Sequence, residues 1–506
     1  MRILGIACLS GVLLVVVFPR WNLDWLGWVS LVPLFLVLGQ VRNWKQALVT
    51  GLLFGCVSFA GQLYWIPAVV VNYGGLSGTV ALGVFVLGIL ALAQFPILFT
   101  MLGWRLLSSG NLLGWIGIPL LWTGIEWWRA RWLFGGFPWC LLGYSQHRRL
   151  AVIQIADLAG VYGVTFLIVS VNAAVAAVFV RRATLRQACA TVLGILVALA
   201  AVCVYGLYSM ARLRSETAAP TLRVAIVQPN IEFEGPPEYF ERKYYRDLPQ
   251  AAARAAAQGA RLVVFPEAPA PFSFQQDSQL RAALELAAVV NRVAIVMNTP
   301  WLVQNGAEPG YRNSALLLDP AGRVRERYDK IHLVPFGEYV PGKRWLWFAE
   351  PLVREVSSFV AGDKPVVSQL DQYRWGTLIC YEAIFPQLSR QAAERGAGFL
   401  VNLTNDAWFG RTAAPEQHLA MAMFRAIETR RWMVRAANSG HSAFISPLGE
   451  VRHKTRLMTE DLIVADVTTS TRRTLFARTG EIAGGLALLL AIVFIVALEV
   501  SRRRTS

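Results

Sequence analysis

Apolar residues fall in long blocks from residue 3 to residue 208 and return in one block near the end, with a more polar segment between. The blocks lie near 3–18, 25–40, 47–70, 78–104, 111–128, 161–180 and 187–208. Each approaches the length a helix needs to cross a hydrocarbon core of about 30 Å. The last, Ile482 to Val500, carries no charge before Glu499 and makes the eighth predicted span. The first block could be read as a signal peptide, with small residues near Ala7. That cleavage point would precede most of the apolar run, the basic region is Arg2 alone, and more spans follow at once, so the pattern predicts a first transmembrane helix.

Between about 213 and 480 the pattern changes. Short β-branched runs alternate with Ala/Arg/Glu-rich stretches, which predicts a layered α/β domain. Predicted strands are Leu222–Val227, Arg261–Phe265, Val293–Met297, Ser314–Leu318, Thr377–Cys380, Phe399–Leu403, Ser442–Ile445 and Leu462–Val467. Predicted helices lie near 238–257, 278–290, 384–395 and 415–431. The chain thus divides into a membrane domain of seven helices (1–212), an α/β domain (213–480), and a final helix with a basic tail (481–506).

Composition sharpens this division. The chain is 55% hydrophobic and 16% charged, unlike a soluble protein. A net charge of +16 would point to nucleic acid in a soluble chain, but no basic–aromatic binding module is visible. Basic residues at helix ends account for it better. With eight spans, Arg2, Arg42, Lys45, Arg105, Arg181, Arg182, Arg186, Arg502, Arg503 and Arg504 share one side, which is then cytoplasmic. The α/β domain falls on the opposite side, although Arg129, Arg131, Arg148 and Arg149 also fall there and run against the rule. Glu126 and Asp157 are the few acidic groups near the spans, too few for an ion-coupled transporter. The six cysteines show no CxxC pair, so neither a disulfide framework nor a metal site is expected.

Three polar residues stand where chemistry is expected. Glu267 ends the run Leu262-Val263-Val264-Phe265-Pro266-Glu267, Lys330 follows Tyr328-Asp329, and Cys380 ends Leu378-Ile379-Cys380. Layered α/β folds build their sites at such strand ends. A thiol with a pKa of about 8.5 needs a base or a cation to act as thiolate. A carboxylate set behind Phe265 and Pro266 could take the thiol proton and return it, and an ammonium would stabilise an oxyanion. Taken singly, a strand-end glutamate is ordinarily a solvated edge and a loop lysine ordinarily plain charge.

Together the blocks FPEAP (265–269), YDKIHLVPFGEYVP (328–341), LICYEAIFP (378–386), NLTNDAWFG (402–410) and RAANSGHSAFISPLG (435–449) resemble the nitrilase superfamily. With spans on both sides, nearly the whole chain resembles the apolipoprotein N-acyltransferase family. The resemblance implies a polytopic α-helical membrane protein of the bacterial inner membrane. Its inserted αββα sandwich would lie on the periplasmic side. It implies a Glu267–Lys330–Cys380 triad and no cofactor. By this resemblance Cys380 would take an acyl chain from the sn-1 position of a phospholipid, typically phosphatidylethanolamine, and pass it from a thioester to the N-terminal amine of a diacylglyceryl apolipoprotein. Glu338, Tyr381 and Glu382 match supporting residues of the family. The backbone N–H of Tyr381 is a plausible second oxyanion donor.

Water must be kept from such a thioester. The apolar cluster from Trp345 to Val353, with Trp347, and the stretch Phe137-Pro138-Trp139 are candidates for a lid, and Trp408 for the pocket lining. Core packing accounts for the Trp345–Val353 cluster equally well. The family often carries an arm tryptophan after the first strand. Here Glu232-Phe233-Glu234 has none, and Phe233 or Tyr239 are the aromatics nearby. His332, His418 and His441 read as structural, and Asn402, Asn405 and Asp406 as turn-shaping. A membrane-tethered amidase and a transporter with an inactive outer domain are the rival readings. Seven spans exceed what a tether needs, and the scarcity of intramembrane charge counts against transport. A monomer is expected.

Overall fold

A computed structural model of the chain describes residues 2–108, 112–132, 134–180, 184–215, 220–267, 272–305, 308–339 and 359–505. The apolar cluster with Trp345 and Trp347 lies outside the described residues. The chain forms two compact units. One comprises Met1–Asn72, Leu76–Ser215 and Thr479–Ser506, and the other Tyr73–Gly75 and Glu216–Arg478.

The first unit is helical. Gly78–Leu107, Ala156–Val180, Leu185–Arg214 and Ile482–Val500 are each long and apolar enough to cross a membrane. Trp44–Gln62 and Ile66–Gly74 would add a fifth span as a pair bent by 54°. Pro67 sits in the first turn of the second member, where its missing N–H and fixed φ suit a break. The block predicted at 25–40 is not one helix: a 3₁₀ turn at Asp24–Trp28 precedes a short helix, Val32–Leu38. Helix Trp44–Gln62 crosses Gly78–Leu107 closely at Gly51, where a Cβ would stand 2.8 Å from the carbonyl oxygen of Pro96. Thr100 there donates to the carbonyl of Ala47 at 2.8 Å. Small residues and side-chain hydrogen bonds of this kind hold apolar helices together.

Glu126 and Arg129, at the end of helix Leu112–Arg129, are buried. Glu126 accepts from the Leu142 N–H at 2.8 Å and from the Thr165 hydroxyl at 2.9 Å, while Arg129 donates to the Trp139 carbonyl at 2.9 Å. The charge near the spans thus holds the following loop in place. Trp139 is itself buried, packed on Trp65 with ring centroids 5.4 Å apart.

The second unit is a sandwich of two six-stranded sheets. The strands are β1 (Thr221–Gln228), β2 (Leu262–Val264), β3 (Ala294–Asn305), β4 (Glu308–Leu318), β5 (Val324–Asp329), β6 (Val367–Leu370), β7 (Tyr373–Ile379), β8 (Phe399–Thr404), β9 (Met433–Ala437), β10 (Ala443–Ile445), β11 (Val451–Arg452) and β12 (Asp461–Thr468). One sheet runs β12-β1-β2-β3-β4-β5 and the other β11-β10-β9-β8-β7-β6. In each the three central strands are parallel and the outer ones antiparallel.

Alternation along the strands builds the layers. Val224, Ile226 and Val264 of the first sheet meet Trp375, Val401 and Val434 of the second. Ala225, Val263 and Ile295 point the other way, onto Ala252 and Ala255 of helix Leu248–Ala257 and Leu280 and Leu284 of helix Ser278–Asn291. Helices Pro386–Glu394 and Ala414–Thr429 pack on the second sheet. The order is αββα. Strands β5, β6, β9 and β11 were not legible in the hydrophobic pattern. The predicted strand Thr377–Cys380 ends one residue early, because Cys380 has turned out of the extended conformation.

Candidate active site

Glu267, Lys330 and Glu338 meet at one end of the first sheet. Glu267 follows β2 and Lys330 follows β5, brought together because both strands lie in that sheet. The Lys330 ammonium, 1% exposed, lies 2.8 Å from Glu338 Oε1 and 3.5 Å from Glu267 Oε1. Burial alone would lower its pKa, but Glu267, Glu338 and Cys380 outweigh burial and hold it above the usual lysine value. The ammonium stays charged.

Asn313, inside β4, organises the two carboxylates. Its amide donates to Glu267 Oε1 at 2.8 Å and to Glu338 Oε1 at 2.9 Å. Asn298 of β3 donates to Asn313 Oδ1 at 2.6 Å and so fixes the amide's orientation. Glu338 Oε2 accepts from the Val334 N–H at 2.7 Å. Glu267 is different. Its Oε1 is held, and its Oε2 is buried with no hydrogen-bond partner among the described residues.

Cys380 is buried where β7 ends. Its φ of 51° lies in the left-handed region, which non-glycine residues seldom adopt, and a 3₁₀ turn Cys380–Ile384 starts there. Burial and the Glu267 charge push the thiol up, against Lys330 and the neighbouring Thr404 hydroxyl, and the net shift is upward. The resting group is therefore a thiol.

Glu382 holds the turn. Its carboxylate accepts from the N–H groups of Ile379 at 2.7 Å, Ile331 at 2.7 Å and His332 at 3.1 Å. The Tyr328 hydroxyl lies 2.8 Å from both its oxygens. One side chain thus joins the strand that ends at Cys380 to the segment that carries Lys330. Burial pushes Glu382 up to about 7, against those N–H groups and Lys330. Tyr381 is raised by burial as well and stacks edge-on against Phe385.

Trp408 is 38% exposed and packs on Phe233 with centroids 4.4 Å apart. Phe233, not Tyr239, is the aromatic of the 230s that joins it, since Tyr239 packs on Phe240 and its hydroxyl accepts from the Glu232 N–H. Asn313, Asn298, Tyr328 and Thr404 were missed from the sequence. Asn313 and Tyr328 sit within alternating strands, where a polar residue reads as an outward one.

The αββα sandwich with these residues at its strand ends defines a nitrilase-like domain, and the family model described as Carbon-nitrogen hydrolase matches residues 223–475. The model described as Apolipoprotein N-acyltransferase N-terminal domain matches residues 10–174. The apolipoprotein N-acyltransferase of Geobacter metallireducens is 38% identical over 498 residues, covering 96% of this chain and 94% of that protein. That of Methylococcus capsulatus is 33% identical, covering 89% of this chain and 87% of its own. A nitrilase-superfamily amidase of Nesterenkonia AN1 is similar in structure, at 23% identity and a TM-score of 0.40, covering 54% of this chain and 98% of the amidase. The chain belongs to the apolipoprotein N-acyltransferase family.

Proposed function

We propose that the protein transfers an acyl chain from the sn-1 position of a phospholipid, typically phosphatidylethanolamine, to the N-terminal amine of a diacylglyceryl-cysteine on an apolipoprotein. The acyl group is carried as a thioester on Cys380. Glu267 takes the thiol proton as the sulfur attacks the ester carbonyl, and passes it to the departing lysophospholipid. The amine then attacks the thioester and gives up a proton by way of Glu267, and the sulfur is restored as a thiol. Lys330 faces the oxyanion of both tetrahedral intermediates, with the Tyr381 N–H as second donor. Glu338, Glu382 and Asn313 keep the base, the ammonium and the nucleophile in register.

The carrying observation is the division of labour on Glu267. One oxygen is held by Asn313 at 2.8 Å, and the other is buried without a partner among the described residues. A buried carboxylate oxygen left unpaired is costly, and a base that must accept a proton twice per turnover is the reason to retain it. In this reading residues 1–212 and 481–506 form the membrane part with up to eight spans, residues 213–480 act on the periplasmic side of the inner membrane, and the protein works as a monomer.

A two-step scheme makes a distinct demand. Detergent-purified protein given phosphatidylethanolamine alone should release about one equivalent of lysophospholipid in a burst, and a diacylglyceryl-cysteine peptide should then restore turnover. Release that requires the peptide from the outset would contradict the thioester.

A further inference from the structure

Behind Cys380 the second sheet buries a charged cluster that the scheme above leaves unused. Asp406, His418 and Arg435 are 0%, 1% and 0% exposed. Arg435 of β9 donates to Asp406 Oδ2 at 2.7 Å and to Asn402. His418, from helix Ala414–Thr429, sets Nδ1 2.9 Å from Asp406 Oδ1 and Nε2 3.2 Å from the carbonyl oxygen of Cys380. Burial would raise the Asp406 carboxyl, but Arg435 and His418 outweigh it and hold it well below the usual carboxylate range. Asp406 is a fixed anion and too weak a base to take the thiol proton.

One hydroxyl connects this anion to the nucleophile. Strands β7 and β8 run parallel with Ile379 opposite Leu403, so Thr404 at the end of β8 stands beside Cys380. Its hydroxyl lies 3.1 Å from Asp406 Oδ1, and from this neighbouring position it draws the Cys380 thiol pKa down against burial. A hydroxyl has one proton to donate, so it can serve only one of the two at a time.

We propose that Thr404 is a further catalytic residue. Its hydroxyl donates to Asp406 while the Cys380 sulfur carries a proton or an acyl group, and turns to donate to that sulfur while it is anionic. The proposal rests on Cys380 being the nucleophile. In the first half-reaction the S–H bond breaks toward Glu267, the S–C bond forms, the ester C–O bond breaks, and the lysophospholipid leaves with the proton. In the second the N–C bond forms, the S–C bond breaks, and the proton from the amine returns to sulfur through Glu267. Thr404 keeps its own proton throughout. Asp406 keeps Arg435 and His418 when the hydroxyl turns away, so the switch leaves no bare buried carboxylate. Among the described residues, the charged groups that act on the sulfur are Glu267 after β2, Lys330 after β5 and Asp406 after β8, with His418 and Arg435 fixing the last.

The test is the pH dependence of iodoacetamide alkylation at Cys380, read by peptide mass spectrometry on the full chain in detergent. Thr404→Val, nearly isosteric, should move the profile up by about one unit, a tenfold loss of rate near neutral pH. The two rates should approach each other only where the pH is high enough to ionise both thiols. Thr404→Ala, which adds no bulk, must show the same displacement, and Thr404→Ser should bring the profile back. An unmoved Thr404→Val profile, or a Thr404→Ser profile that stays with that of Thr404→Val, would overturn the proposal. Acyl adduct formation on the wild type separates the two claims. No adduct sinks the nucleophile assignment itself, whereas an adduct with an unmoved Thr404→Val profile sinks only the role of Thr404.

Discussion

The proposed cycle uses its base twice, which calls for one oxygen anchored and one open, and Glu267 has Oε1 on Asn313 and Oε2 without a partner among the described residues. Glu382 sets a second condition, in pH. Its carboxylate must be ionised to accept from Ile379, Ile331 and His332 together, and burial raises it to about 7. Acyl-adduct formation should therefore fall as pH drops through about 7, and Glu382→Gln should remove that acidic limb while lowering the plateau. An unchanged limb in the variant would assign it to another group. Stability carries the opposite sign. A folded pKa above the unfolded carboxylate value of about 4.3 gives a contribution that is full below that value and lost as pH rises through about 7. At this scale Glu267 and Cys380 stood out in the sequence because each closes an apolar run, and Lys330 only through the block YDKIHLVPFGEYVP around it. Asn313 did not, since its partners Glu267 and Glu338 come from distant segments.

Among elements, the join between β7 and the turn at Cys380 matters most. The left-handed backbone of Cys380 is held from both sides, by Glu382 on the Ile379 N–H and by His418 at the Cys380 carbonyl. Gly440 leaves room for the other end of that support, since a Cβ there would lie 2.5 Å from Asp406 Oδ2. Gly440→Ala should lower stability by roughly 1–3 kcal/mol as an overpacked site and slow transfer by displacing Asp406. A melting temperature and transfer rate matching the wild type would show that the anion is not held as described. The strands missed from the sequence share physical causes. β5 (VRERYD) is an edge strand whose exposed face admits charge, and β9 (MVRAA) follows a helix with one residue type blending into the next. Arg435 inside β9 reads as surface charge until Asp406 and Asn402 are seen around it. The long central strands were legible because both of their faces are buried.

For the molecule as a whole, the sequence pattern separated apolar helices from an α/β domain, and the described residues form two units of that kind. Span count was the least legible feature. Hydropathy treats 25–40 and 47–70 as single stretches, whereas the chain breaks them at the turn Asp24–Trp28 and ahead of Pro67. Such breaks depend on packing between helices, which a window of one segment does not contain. In the proposed function the use of the whole chain turns on one covalent event at Cys380. The most direct measurement is the intact mass of the detergent-purified protein after exposure to phosphatidylethanolamine of defined acyl chains. The account requires a mass increase equal to the sn-1 acyl group, removable by hydroxylamine, located at Cys380, and absent from Cys380→Ala and Glu267→Gln. Acyl transfer to a diacylglyceryl-cysteine peptide with no such adduct on the wild type, or an equal adduct on Cys380→Ala, would contradict it.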